Sequence, residues 1–239
     1  MELTDGLSLS VLAAAATIGF VHALLGPDHY VPFIALARAQ RWKLGRTLAT
    51  VAACGVAHVL GSALLGGIGL ATGAAIGSME SLEAGRGSLA AWAMITFGVA
   101  YCLWGVRRAL VSKTGLVSHT HGDHVHIHTG GVHHHQHEAF DASGDPPRTF
   151  WALLILFVLG PCEPLIPLFV LPASRGRWDV AVATILVFGA VTVLTMLAAV
   201  TLGFFGLKQF NFGAAERYAH AFAGGTVAIS GLMVVSLGL

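Results

Sequence analysis

Two membrane-length apolar stretches of this chain are each cut by a Gly-Pro pair, and an acid follows close behind each cut. The first reads Leu25-Gly26-Pro27-Asp28-His29 and the second Leu159-Gly160-Pro161-Cys162-Glu163. Pro lacks a backbone N–H and pushes the preceding residue away from helical geometry, so both helices are expected to break there. An ionisable group costs at least ~2.5–3.5 kcal/mol at the centre of a bilayer. Asp28 and Glu163 read as the only charged side chains of the apolar interior. Paired broken helices, each with an acid, point to a binding site shared by two halves of a chain.

Composition sets the solvent. Of 239 residues, 55% are hydrophobic and only 10% charged, with a mean hydropathy of +0.75. A soluble domain carries about 25% charged residues. The apolar stretches are long and do not alternate, so they read as helices spanning a bilayer rather than barrel strands. The net charge is +1 and no basic stripe is present, so the lipid bilayer, and not nucleic acid, is the expected partner. Cys54, Cys102 and Cys162 are scattered through apolar segments without a C-x-x-C pair, and no disulfide framework is expected. The acidic start Met1-Glu2-Leu3-Thr4-Asp5 lacks the basic region of a signal peptide, so the first apolar stretch reads as a retained helix.

Six spans follow: 8–37 (broken at Gly26-Pro27), 47–76, 88–106, 150–173 (broken at Gly160-Pro161), 180–207 and 219–239. The halves resemble each other. Leu25-Gly26-Pro27, then Pro32 and Arg41-Trp42, is matched by Leu159-Gly160-Pro161, then Pro167 and Arg177-Trp178. Three spans per half is odd, so the second half enters the membrane inverted. The expected fold is an all-α integral membrane protein of six transmembrane helices in two inverted three-helix repeats, with Pro-broken first and fourth helices. Residues 1–106 form the first repeat, 107–149 a polar loop without regular structure, and 150–239 the second repeat.

Basic residues set the orientation. Arg38, Arg41, Lys43, Arg46, Arg107, Arg108, Lys113, Arg148, Lys208 and Arg217 fall on one side, against Arg86, Arg175 and Arg177 on the other. The positive-inside rule puts the 107–149 loop in the cytoplasm and both termini outside, in a plasma (inner) membrane. That loop holds His119, His121, His124, His126, His128, His133, His134, His135 and His137. Imidazole binds Ni, Co, Zn and Cu ions well, so the loop is a candidate metal binder.

Four more histidines lie outside the loop: His22, His29, His58 and His220. His22 and His29 are two helical turns apart, hence on one face, and unwinding at Gly26-Pro27 brings Asp28 toward them. His58 opens a run with Gly61 and Ser62 that permits close helix packing. Cys162 and Glu163 come from the other half. His220 stands beside Arg217 and Tyr218 and reads as an interfacial residue. The candidate binding set is therefore His22, Asp28, His29, Cys162 and Glu163, with His58. Gly26, Pro27, Gly160 and Pro161 are the hinges. Nitrogen, oxygen and sulfur donors together suit Ni, Co or Zn better than Mg or Ca. An oxyanion site would need fixed positive charge in the interior, and none is expected there.

The run His22-Ala23-Leu24-Leu25-Gly26-Pro27-Asp28-His29 resembles the first-helix signature of nickel/cobalt permeases of the NiCoT and NicO kinds, and most closely that of the urease-associated nickel permeases. The internal His-rich loop is similar to that of NicO-type exporters. Gly160-Pro161-Cys162-Glu163-Pro164-Leu165-Ile166-Pro167 resembles the Pro-Cys helix of the cytochrome-c-biogenesis thiol-electron carriers. These families share the lysine-exporter (LysE) superfamily and its six-helix inverted-repeat core. The resemblance implies a secondary transporter rather than an enzyme, with His22, Asp28 and His29 as motif ligands. No resident cofactor is implied. The metal is cargo, nickel or cobalt first and zinc next, moved by alternating access; a cytoplasmic metal-binding loop fits import as a buffer and export as a presenter of ions, and the reading leans to export. Metal ligands must lose protons to bind, so proton exchange is the natural coupling. The alternative is a thiol-disulfide electron carrier, although this chain has Asp28-His29 where those carriers place their first-half cysteine.

Overall fold

The computed structural model describes residues 2–73, 76–111, 116–121, 124–129, 148–160, 162–209 and 213–237. Its helices are α1 (Glu2–Leu25), α2 (Val31–Ala39), α3 (Leu44–Thr72), α4 (Ile76–Val111), α5 (Arg148–Leu159), α6 (Leu165–Ser174), α7 (Trp178–Lys208) and α8 (Ala219–Leu237). Two short strands, β1 (Leu116–His121) and β2 (His124–Thr129), pair antiparallel between α4 and α5. Stretches of α1, α3, α4, α7 and α8 are long and apolar enough to cross a membrane, and α5 and α6 are shorter apolar helices. Leu60, Leu64 and Ile68 on α3 and Leu186, Leu194 and Leu202 on α7 point outward and exposed. Apolar ridges of that extent suit lipid, not water.

The breaks fall where the sequence puts them. Gly26 leaves α1 in extended geometry, Pro27–His29 make one 3-10 turn, and α2 starts at Val31. In the second half α5 stops at Leu159 and α6 starts at Leu165. Of the 107–149 segment, 107–111 continue α4 and the two strands account for 116–121 and 124–129. The expectation of a loop without regular structure otherwise falls on 112–115, 122–123 and 130–147, which lie outside the described residues.

One boundary differs in substance. The third span was expected from residue 88, but α4 begins at Ile76 and carries Glu80, Glu83 and Arg86 inside it. Met79, Glu83, Gly87, Ala90 and Met94 form its buried stripe, at spacings of four and three that keep one helical face inward. Glu83 is therefore fully buried, whereas Glu163 is exposed. This corrects the expectation that Asp28 and Glu163 are the interior's charged groups. Arg86 corrects the expectation of no interior cation, although its charge is matched by Glu83 at 2.9 Å.

Glycine sets how closely the long helices approach. The most extensive helix contact joins α4 and α8. A Cβ on Gly98 would run into the backbone of Gly224 and Ala228, and one on Gly105 into that of His220 and Ala221. Contact positions rise along α4 as they fall along α8, so the two helices are antiparallel. On the other side α7 receives α1 at Gly19, against Phe188 and Thr192, and α3 at Gly55, against Met196. Small residues are what allow such backbone approach in lipid, where no hydrophobic force drives helices together.

Gly98→Ala is expected to destabilise the bundle by at least about 1–3 kcal/mol, the usual penalty for overpacking. Gly67→Ala is the control, because a Cβ there meets nothing within 4 Å. Thermal unfolding in detergent should show a lowered midpoint for the first variant and an unchanged one for the second.

A candidate metal centre at the first helix break

Three imidazoles converge beside the 26–29 break. One ring nitrogen from each of His22, His29 and His58 can be chosen so that all three lie within 4.8 Å of one another. His22 is at the end of α1, His29 closes the 3-10 turn and His58 comes from mid-α3. The break is what makes this possible. On a continuous helix, His22 and His29 would sit two turns, ~10.5 Å, apart along the axis. With the helix interrupted, their ring centroids are 4.8 Å apart and edge-on, and His29 meets His58 at 5.1 Å. His29 and His58 are buried, and His22 is half-buried.

Hydrogen bonds behind the rings fix the tautomers. His29 Nδ1 lies 3.2 Å from Asp28 Oδ1, and a carboxylate oxygen only accepts, so Nδ1–H donates. His58 Nδ1 lies 3.2 Å from the carbonyl oxygen of Phe157, and Nδ1–H donates there too. Both rings are thereby left with a lone pair on Nε2. Neither Nε2 has a hydrogen-bond partner among the described residues, although both are buried. A buried polar atom left unpaired costs free energy, so two on adjoining, edge-on rings offer a place for a further partner. Carboxylate or carbonyl behind imidazole, with the other nitrogen free, is the arrangement that orients histidine toward a metal.

Two voids border the Asp28-His29 pair. One, of ≈ 20 Å³, borders His29, His58, Phe157, Gly160 and Met94. It has room for about one water-sized occupant. The other, of ≈ 310 Å³, lies between α1 and the start of α6, against Thr17, His22, Gly26 and Pro164.

The remaining expected residues divide. Cys162 is buried, with Sγ 3.9 Å from His22 Nε2, so it stands beside the cluster. Asp28 is placed behind His29 as its orienting partner. Glu163 is exposed and is not part of the three-histidine group. Gly26 and Gly160 both press on the site. A Cβ on Gly26 would fall on His29 Nδ1 and Asp28 Oδ1, and one on Gly160 would meet His58 Nδ1 at 3.3 Å. Pro27 begins the 3-10 turn, and Pro161 lies outside the described residues. His220 packs instead with Tyr101, whose hydroxyl lies 2.8 Å from its Nδ1.

Among the loop histidines, His119 stands opposite His126, and His121 opposite His124. His128 is also on β2, and the side chains of both strands lie outside the described set, as do residues His133, His134, His135 and His137. Sequence reasoning missed Glu83 and Arg86. The interior stripe through Met79, Glu83, Gly87 and Ala90 was the signal that could have found them.

No protein-family model, curated protein or solved structure matches this chain. The resemblance to nickel/cobalt permeases therefore rests on its motif residues.

Two variants test the site. Asp28→Ala is expected to weaken Co²⁺ binding by ~10–100-fold, the usual effect of removing an orienting partner. Gly26→Ala should weaken it as well, by displacing the His29 ring. Equilibrium titration of purified protein with its nine loop histidines changed to Ser reads both. Unchanged affinity in Asp28→Ala would contradict the assigned role of the carboxylate.

Proposed function

We propose that this chain is a secondary transporter of divalent transition-metal ions, nickel or cobalt first, and not an enzyme. The observation that carries this reading is the pair of buried, unpartnered Nε2 atoms on His29 and His58, two rings of a three-histidine group with His22 at a helix break. Three imidazoles suit Ni, Co and Zn, and the Cys162 thiol beside His22 offers a soft fourth donor. Oxygen-seeking Mg and Ca are poorly served there.

The surroundings favour transport over storage. The site lies within apolar helices, beside a broken segment, and is bordered by one small void and one wide one. Alternating access requires that two routes meet at one site. We read α1–α4 and α5–α8 as two inverted repeats: each opens with a helix broken after a Gly, then continues through two long helices, and α4 and α8 cross antiparallel. Such repeats bind cargo at their interface. The ion exchanges with protons released from its ligands. Even with Arg86 withdrawn from the outer loops by its place in α4, the basic residues still favour a cytoplasmic 107–149 loop in a plasma membrane. A cytoplasmic loop of nine histidines presents metal to the inner face, which favours export.

Metal accumulation in cells lacking their own nickel and cobalt exporters tests the reading. Expression of the chain is expected to lower cellular nickel and cobalt. His22→Ala, His29→Ala and His58→Ala should each abolish the effect, while Glu163→Gln should keep most of it. Unchanged accumulation with well-inserted wild-type protein would refute transport, and full activity in the histidine variants would refute the site.

A further inference from the structure

The buried ion pair on α4 lies outside the three-histidine group, yet its arginine touches the second helix break. Glu83 is fully buried and pairs with Arg86 at 2.9 Å, one helical turn on. The other arm of Arg86 reaches across to the end of α5. Its Nη2 donates to the carbonyl oxygen of Val158 at 2.6 Å and lies 3.4 Å from that of Gly160. These carbonyls belong to the C-terminal end of an interrupted helix, where no following turn supplies N–H donors and the helix dipole is negative. A guanidinium fits both needs, and its fork contacts carboxylate and carbonyls at once. Gly61 on α3 makes room, since a Cβ there would meet both Arg86 Nη2 and Val158 O.

The same end of α5 orients the ion site. Phe157, one residue before Val158, accepts the Nδ1–H of His58. Gly160, one of the two Arg86 contacts, packs against that His58 nitrogen. Thus Arg86 holds the residues one and three positions beyond the His58 anchor. In a broken helix, unheld carbonyls turn toward whatever donor is near, and the direction of Phe157 C=O sets the direction of His58 Nε2.

We propose that Glu83 and Arg86 are positioning residues of the ion site: Arg86, held by Glu83, fixes the end of α5 so that His58 presents Nε2 to the metal. The inference rests on the metal-site reading above. It assigns the second break a different task from the first. The break at 26–29 supplies ligands, and the break at 160–164 is closed by a tethered cation that supports a ligand from α3.

The test uses full-length protein with its nine loop histidines changed to Ser, and Co²⁺ alone as probe. Removing only Arg86 would strand a buried acid, so the main variant is Glu83→Leu with Arg86→Met, which removes both charges. Helicity by circular dichroism and a monodisperse profile establish that it is folded. The expected result is a ~10-fold or greater loss of Co²⁺ affinity, with a changed visible absorption spectrum of the bound ion as His58 loosens. Arg86→Lys keeps one donor and one charge and should recover part of both. In a His58→Ala background the double change should cost little more. Wild-type affinity and spectrum in the folded double variant would overturn the proposal, as would full additivity with His58→Ala. Failure of the parent protein to bind Co²⁺ would instead overturn the metal-site reading itself. If the double variant does not fold, Arg86→Lys and Arg86→Gln decide: an unaltered spectrum in both overturns the proposal.

Discussion

A helix interrupted inside an apolar slab strands backbone carbonyls and N–H groups that no water can satisfy. The rest of this structure can be read as the answer to that constraint at two places. At the first break Tyr30 donates its hydroxyl to Leu24 O, and the 3-10 turn closes His29 N onto Gly26 O. At the second, His58 takes Phe157 O, and Arg86 takes Val158 O. Each side chain recruited to satisfy backbone is polar or charged, and each is thereby fixed in direction. His58 is then a backbone donor through one nitrogen, and its other nitrogen is left free for a ligand. In the proposed site, structural need and metal binding are served by opposite atoms of one ring.

The two breaks share a Gly-Pro origin but diverge in chemistry. Asp28 follows Pro27 directly and lies where it can hold His29 from behind. Glu163 is two residues beyond Pro161, and that offset leaves it exposed while Cys162 turns inward toward His22. The buried acid of the second half's neighbourhood comes from α4 instead, as Glu83. Close approach of the long helices lets these contributions meet. Gly61 clears space for Arg86, Gly160 lies against His58, and Gly26 lies under His29 and Asp28.

Much of this is legible in the sequence because it depends on local chemistry. Gly-Pro pairs inside apolar runs locate the breaks to within a residue or two. The seven-residue spacing of His22 and His29 places them on one face before the break brings them together. His58 is marked by its run of small neighbours. What escapes is tertiary. Glu80, Glu83 and Arg86 lie close together between two apolar runs, and such a stretch reads as a loop. Packing shows that α4 starts at Ile76 and turns Glu83 inward, on the face that the spacing of Met79, Glu83, Gly87 and Ala90 marks. The exposure of Glu163 escaped for the converse reason: burial of the surrounding segment was extended to a side chain that faces away. The roles of Asp28 and Phe157 behind the imidazoles also need coordinates, because tautomers are set by partners and not by spacing.

The most direct measurement is the ligand shell of the bound ion. X-ray absorption at the nickel edge, on purified full-length protein with its nine loop histidines changed to Ser, counts imidazoles around one nickel per chain. Three imidazoles are expected, falling to two in His58→Ala. A shell without imidazole scattering, or one unchanged when His22, His29 and His58 are all replaced by Ala, would contradict the assignment of the ion to these three residues.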